Sequence, residues 1–118
     1  MVNIIPDIKV GNLGTKLRVR MTKVKDSVPP EDVTGDPSQR EPVSLSTASN
    51  VWIELEIPKG KRKPLLIASI IDAQNGLIEY IDNAGVFDVD GRWKIRGVVQ
   101  FNSGNKFQGT WTGFLVGD

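Results

Sequence analysis

Cysteine and histidine are both absent from the 118 residues of this sequence. Without cysteine there is no disulfide framework and no thiolate nucleophile. Without histidine there is no imidazole acid–base group. The two absences together exclude zinc sites of ordinary composition and nucleophilic triads with a histidine base. We therefore expect a protein that is not an enzyme and that uses no cofactor and no metal ion.

The sequence also lacks a large excess of one charge, since it contains 15 basic and 14 acidic residues. Nucleic-acid-binding domains usually carry a clear basic excess, so this balance argues against a polyanionic partner. No apolar run approaches the roughly 20 residues of a membrane-spanning helix. The first residues resemble no signal peptide. These features predict a soluble protein made in the cytoplasm, with no nucleic acid, membrane or small-molecule substrate as partner.

The stretch from Gly91 to Val116 carries the strongest pattern that is present. Apolar and polar residues alternate up to residue 101, which predicts a strand with one buried face. The short polar break at 102–106 predicts a hairpin, and Gly113 marks a change of phase where a bulge could rotate the return strand. We expect this hairpin to supply the largest block of the core. Its inward residues are predicted to be Trp93, Ile95, Val99, Phe101, Phe107 and Trp111.

Several other segments also have the pattern of strands. Two alternate cleanly and are predicted to bury one face each. Their inward residues are Leu17, Val19 and Met21 in the first, and Val51, Ile53, Leu55 and Ile57 in the second. The apolar run Leu65–Ile71 predicts a strand covered on both sides or a buried edge strand, joined through Asn75-Gly76 to a strand at 77–81. Val43 and Leu45 predict a further brief strand. The whole is an all-β sandwich of about seven to eight strands, in one domain over residues 1–118.

Three regions stand out as candidate contacts for a protein partner. Residues 1–6 form an apolar arm at the N-terminus, and residues 25–42 form a proline-rich loop too poor in apolar residues to order itself. Trp52 points outward from its strand, where it either covers its own sheet or belongs to an interface. The partner-binding residues predicted from these regions are Val2, Ile4, Ile5, Pro29, Pro30, Pro37 and Trp52.

Two patterns could carry chemistry, and neither is complete. The segment 88–91, Asp-Val-Asp-Gly, resembles the start of a calcium-binding loop. It lacks the further spaced ligands and the terminal glutamate of an EF-hand. The carboxylates of Glu54, Glu56 and Glu79 could pair as in a glycosidase, although two of them fit ordinary surface alternation. We expect no catalytic residues and no metal ligands.

Short motifs in a fixed order give the sequence a family resemblance. They are Val10-Gly11-Asn12-Leu13-Gly14-Thr15, then Val43-Ser44-Leu45-Ser46-Thr47-Ala48, Pro58-Lys59-Gly60, Ala68, Asn75-Gly76, Glu79-Tyr80, Gly91-Arg92-Trp93-Lys94-Ile95 and Phe114 to Val116. In this order they resemble the immunoglobulin-like N-terminal domain of the phage baseplate upper protein. The resemblance implies an immunoglobulin-like antiparallel sandwich. The proline-rich loop departs from it, because the family has a short turn there.

The resemblance also implies a function. It leads us to expect a non-enzymatic structural component of a tailed-phage virion, as a baseplate, neck, tail or capsid-decorating protein. Its partners would be other virion proteins and copies of itself in a symmetric assembly. The alternative is a carbohydrate-binding sandwich in which Trp52 stacks on a sugar ring.

Overall fold

A computed structural model describes residues 8–117, and in that range the chain is all-β, with two short 3-10 turns and no α-helix. The predictions for Val2, Ile4 and Ile5 lie outside the described residues. The strands are β1 (Ile8–Lys9), β2 (Thr15–Arg20), β3 (Thr22–Val24), β4 (Arg40–Pro42), β5 (Ala48–Glu56), β6 (Leu66–Ile67), β7 (Ser69–Asp72), β8 (Leu77–Asp82), β9 (Gly91–Phe101), β10 (Lys106–Gln108) and β11 (Thr112–Gly117). No helix within 8–117 has the length and apolar character needed to cross a membrane.

Two sheets pack face to face in a sandwich-like arrangement. The larger sheet has the order β1-β11-β9-β5-β6, with β10 beside β9 in line with β11. The smaller sheet has the order β2-β8-β7, and β3 and β4 form a two-stranded extension. All pairings are antiparallel except β1 with β11, which is parallel. The larger sheet is therefore mixed rather than purely antiparallel.

The core lies between the inward faces of the two sheets, and most of its residues were predicted. Leu17, Val19 and Met21 from the smaller sheet are buried, as are Val51, Ile53 and Leu55 from β5. Trp93 is fully buried on β9, where its indole N–H donates to the Val89 carbonyl oxygen at 3.0 Å. Its ring meets that of Phe87 edge to face at 5.2 Å. Alternation thus identified the inward face of each long strand.

The hairpin differs from its prediction in three details. Phe101 is only partly buried because it lies at the end of β9, beside the turn. The register shifts at 109–111 rather than at Gly113: Gln108 lies opposite Val98, but Thr112 lies opposite Ile95, one residue out of step. This extra residue turns Trp111 to the outer face, so it does not join the core.

Residues 40–45 differ from two predictions, that of a strand at Val43 and Leu45 and that of a loop extending to Pro42. Val43 and Leu45 are buried but belong to no strand, since their N–H groups bond to the carbonyls of Met21 and Ala73. The adjoining strand is β4, which includes the last three residues of the predicted 25–42 loop. More strands are present than predicted because several predicted strands are each divided in two, at Met21, at Ala68 and at 109–111.

Candidate functional site: an exposed apolar edge

The apolar run Leu65–Ile71 is shared between the edges of both sheets. Its first part forms β6, where Leu66 lies opposite Ile53 and Ile67 opposite Trp52. The Ala68 N–H still donates to the Val51 carbonyl oxygen at 3.1 Å. The chain then crosses to the smaller sheet and forms β7, beside β8. The run therefore closes one side of the sandwich without entering its centre.

The run lies at sheet edges, as one of its two predictions had it, but most of it is exposed, so the burial expected in both predictions is wrong. Ile67 is 81% exposed, Ile71 45%, Leu65 41% and Ile70 40%. Edge strands have a neighbour on one side only, so the faces of their side chains remain partly open whatever their composition. We call Leu65, Ile67, Ile70 and Ile71, together with Trp52, the apolar edge.

Trp52 and the run together form a shallow groove. It has a volume of about 460 Å³ and is lined by Ser49, Asn50, Val51, Trp52, Ile67, Ala68, Ser69 and Ile70. Because Trp52 and Ile67 lie opposite each other on neighbouring strands, their side chains share the outer face of the larger sheet. Trp52 also lies opposite Val98, which is buried on the same face. One partner could therefore contact a continuous apolar row.

The backbone of the apolar edge is as open as its side chains. β6 and β7 each end a sheet, so one side of each strand presents N–H and C=O groups to solvent. Natural edges are often protected by charged residues, but residues 65–71 carry none, and charge returns only at Lys63 and Asp72. This edge can form hydrogen bonds with an added strand and can bury apolar area.

A cluster of Arg96, Glu54 and Trp111 lies next to Trp52 on the outer face of the larger sheet. Arg96 is buried and donates from Nε to Glu54 Oε1 at 2.6 Å. The indole of Trp111 covers the guanidinium, with 4.3 Å from Arg96 Cζ to the ring centroid. Lys106 Nζ lies 5.8 Å from the ring centroid of Trp52. Arg96 has the polar parity of β9, but Glu54 and Trp111 enclose it, so this part of the outer face is largely closed.

The predicted contact residues do not come together at one place. Trp52 belongs to the apolar edge. Pro29, Pro30 and Pro37 are exposed on the loop that follows β3, where Pro37 lines a separate small depression with Arg20 and Arg40. Two of these prolines, Pro30 and Pro37, each begin a short 3-10 turn.

The carboxylates considered for catalysis are separated between the sheets. Glu54 binds Arg96 on the larger sheet, while Glu79 accepts from Arg18 Nε at 2.7 Å on the smaller one. Asp88 binds Lys63 Nζ at 2.9 Å, and this hydrogen bond holds the pKa of the Asp88 carboxyl below its ordinary value. Within the described part of the chain, no three acidic side chains are grouped so as to hold a metal ion.

Sequence reasoning missed four residues of the apolar edge, Leu65, Ile67, Ile70 and Ile71. Leu66 and Ala68 pack against the core, so inward and outward positions do alternate here. The alternation is invisible in the sequence because both parities are apolar. The one available signal is the Ala68-Ser69 pair, which interrupts the bulky residues at the point where the chain changes sheets.

No family model, no curated protein and no solved structure matches this chain.

Proposed function

We propose that this protein is a non-enzymatic structural component of a tailed-phage virion, acting through protein–protein contacts made by the apolar edge. The observation that carries the proposal is the exposure of Ile67 and its neighbours beside unpaired backbone of two edge strands. Within the particle it is a baseplate, neck, tail or capsid-decorating protein, and its partners are other virion proteins and copies of itself.

The physical basis of the contact is apolar burial combined with strand addition. Apolar surface removed from water stabilises a complex by about 25 cal/mol per Å². The open backbone of β6 and β7 can pair with a strand of the partner and so fix its direction and register. A protein that left such an edge uncovered would tend to aggregate. A permanent partner that covers the edge would therefore also prevent aggregation.

The immunoglobulin-like assignment is part of the same proposal. Two observations support it: two sheets with mainly antiparallel pairing enclose a single core, and the motifs that resemble the baseplate family fall at turns and strands of this sandwich. Gly14 and Gly76 both adopt positive φ at such turns. A side chain at Gly76 would approach the Met21 carbonyl oxygen to 2.6 Å, which explains why glycine is needed there.

A carbohydrate-binding module is the second candidate, favoured by the position of Trp52 in the groove. Stacking on a sugar requires an open ring face. Lys106 lies over the Trp52 ring, which makes the first proposal the better supported one. Saccharide titration followed by tryptophan fluorescence separates the two: saturable binding that is lost in Trp52→Ala would favour the carbohydrate module.

The test of the main proposal is incorporation into phage particles. Particles are purified from phage carrying the native gene, Ile67→Lys or Ile81→Lys, and the protein is quantified by mass spectrometry. Ile81 is the matched control, since it is 42% exposed on the smaller sheet and outside the apolar edge.

We expect native protein and Ile81→Lys in the particles and Ile67→Lys absent, while all three proteins keep the same melting temperature. Native protein missing from the particles would overturn the virion role. Full incorporation of Ile67→Lys would overturn the role of the apolar edge.

A further inference from the structure

One end of the sandwich carries several exposed cations around one carboxylate, that of Glu56, which lies opposite Lys94. The turn after β5 and the start of β9 meet there, since a side chain at Gly91 would approach Pro58 Cγ to 2.9 Å. Lys59, Arg92 and Lys94 line a depression of about 290 Å³ at this end. Lys61 is exposed on the same turn. Within residues 8–117, none of these four cations has an ion pair. We call Lys59, Lys61, Arg92 and Lys94 the basic end.

Lys59 occupies this position at a cost in backbone energy. Its φ is +76°, and among the described residues it is the one non-glycine residue with positive φ. The left-handed region is unfavourable for an ordinary L-residue, whereas glycine occupies it without that penalty. Strain of this kind points to a role for the side chain itself. The turn presents the Lys59 ammonium group at the rim of the depression.

The opposite charge is concentrated in the proline-rich loop. Residues 26–39, which we call the acidic loop, contain Asp26, Glu31, Asp32 and Asp36 and no lysine or arginine. All four carboxylates belong to exposed residues. The Asp36 carboxylate accepts from the Ser38 backbone N–H at 2.9 Å, which lowers the pKa of Asp36 and keeps it ionised.

The basic end and this loop lie at opposite ends of the long axis. Glu56 is opposite Lys94 at one end of β5, and Ala48 is opposite Phe101 at the other. The nine residues of β5 separate these ends by roughly 27 Å at about 3.3 Å per residue. Residues 43–47 join β4 to the Ala48 end of β5, and the loop continues from the far side of the β3–β4 pair. The molecule is 44 Å long, so the two charged regions of one copy do not neutralise each other.

We propose that the basic end binds the acidic loop of a second copy of this chain, so that copies associate head to tail. A contact between two different surfaces of one protein is heterologous, and it produces rings or filaments rather than closed dimers. The charge of the acidic loop is complementary to that of the basic end, and all four of its carboxylates belong to exposed residues. The proposal deepens the proposed function, on which it rests for the biological setting, but it uses a different surface from the apolar edge.

Nucleic acid is the competing partner for a basic surface, and the structure favours the protein loop. Single-stranded nucleic acid needs open aromatic faces beside the cations. Trp111 does not offer an open face, because Arg96 covers its ring and Arg62 Cζ lies 5.4 Å from the ring centroid. The acidic loop at the far end would also repel a long polyanion.

The experiment is a charge swap followed by sedimentation velocity on the purified full chain. One variant, Lys59→Glu with Arg92→Glu, reverses the basic end. The other, Glu31→Lys with Asp32→Lys, reverses the loop. We expect the native protein to form oligomers larger than dimers at about 0.01 M salt and to dissociate at about 0.5 M, where screening is much stronger. Each variant alone should associate at least about tenfold more weakly, since two exposed attractions become repulsions.

Mixing the two variants should restore association, because each then offers a surface complementary to one on the other. Lys16→Glu changes the net charge in the same direction on the outer face of the smaller sheet and should associate like the native protein. Lys59→Gly should be at least as heat-stable as the native chain, because it relieves the backbone strain. It should nevertheless associate more weakly, because the charge of Lys59 is lost. Circular dichroism on every variant confirms folding.

Other outcomes overturn the proposal. These are native protein that is monomeric at low salt, a mixture that does not associate, or tight binding of a labelled single-stranded oligonucleotide that is lost in the basic-end variant. Association that resists salt and disappears in Ile67→Lys would also overturn it, while leaving the contact at the apolar edge intact. Absence from phage particles would instead refute the proposed virion role without affecting this assay.

Discussion

Strand β9 and the run Leu65–Ile71 are both rich in apolar residues, yet most of those in β9 are buried and most of those in the run are exposed. β9 has neighbours on both sides, its inward face meets the smaller sheet, and Trp111 and Glu54 cover part of its outer face. The run 65–71 has one neighbour per strand and leaves Ile67 81% exposed. The number of neighbouring strands, rather than composition, therefore decides whether an apolar run becomes core or surface.

The largest expected effect is at the centre of β9. Trp93→Ala should lower the free energy of unfolding by about 3–5 kcal/mol, because it removes a fully buried indole and its hydrogen bond. Phe101→Ala should lower the free energy of unfolding by less, since Phe101 is only partly buried at the strand end. Trp52→Ala should also cost less than Trp93→Ala, since Trp52 is only partly buried on the outer face. Urea denaturation of the three variants measures this, and equal losses would contradict the assignment of inner and outer faces.

The same substitution in both regions gives a matched comparison. Ile95 is fully buried on β9, so Ile95→Ala should cost about 2–5 kcal/mol. Ile67→Ala should change the free energy of unfolding by no more than about 0.5 kcal/mol, as at an ordinary surface position. Guanidinium denaturation of both variants provides the values. A loss at Ile67 as large as that at Ile95 would mean that the run belongs to the core.

The outer face of β9 should contribute a smaller amount through its ion pair. Arg96→Met leaves Glu54 enclosed without its partner and should cost about 1–3 kcal/mol. Adding Glu54→Gln should recover part of this loss, because the unpaired charge is then gone. A double-mutant cycle by thermal denaturation gives the coupling, and additive effects would show that the pair contributes nothing of its own.

The smallest expected effect concerns the link between the two regions, where Lys63 near the start of the run binds Asp88 near the start of β9. The hydrogen bond from Lys63 lowers the pKa of Asp88 in the folded protein. The stabilisation is therefore present above the ordinary carboxyl pKa and is lost as pH falls through the lowered value.

Between about pH 5 and pH 3 the native protein should lose slightly more stability than Asp88→Asn. Melting temperatures of both proteins across this range provide the test. Parallel curves would show that the pair has no influence on stability at this exposed site.

Sequence patterns were sufficient where one parity is polar and the other apolar. Leu17, Val19, Val51 and Ile53 were placed correctly for that reason. Patterns were insufficient where tertiary neighbours decide. Phe101 and Trp111 follow the inward parity, but Phe101 is only partly buried at its strand end, and a one-residue register shift turns Trp111 to the outer face.

The candidate site shows the same limit. Trp52 was identified because it breaks a clean alternation, and the structure places it in the groove. Ile67 could not be identified, because its run is apolar on both parities and only the topology puts β6 and β7 at sheet edges. The pairing of Leu66 with Ile53, and the crossing after Ala68, are long-range facts that no local pattern contains.

Hydrogen–deuterium exchange at residues 65–72 tests most directly whether the apolar edge is a contact surface. The measurement compares the free purified protein with the protein in purified particles, and the amides of β9 serve as the internal reference. We expect fast exchange at 65–72 in the free protein and strong protection in the particles, with β9 protected in both. Equal exchange at 65–72 in the two states would contradict the account, because it would show that nothing covers this edge.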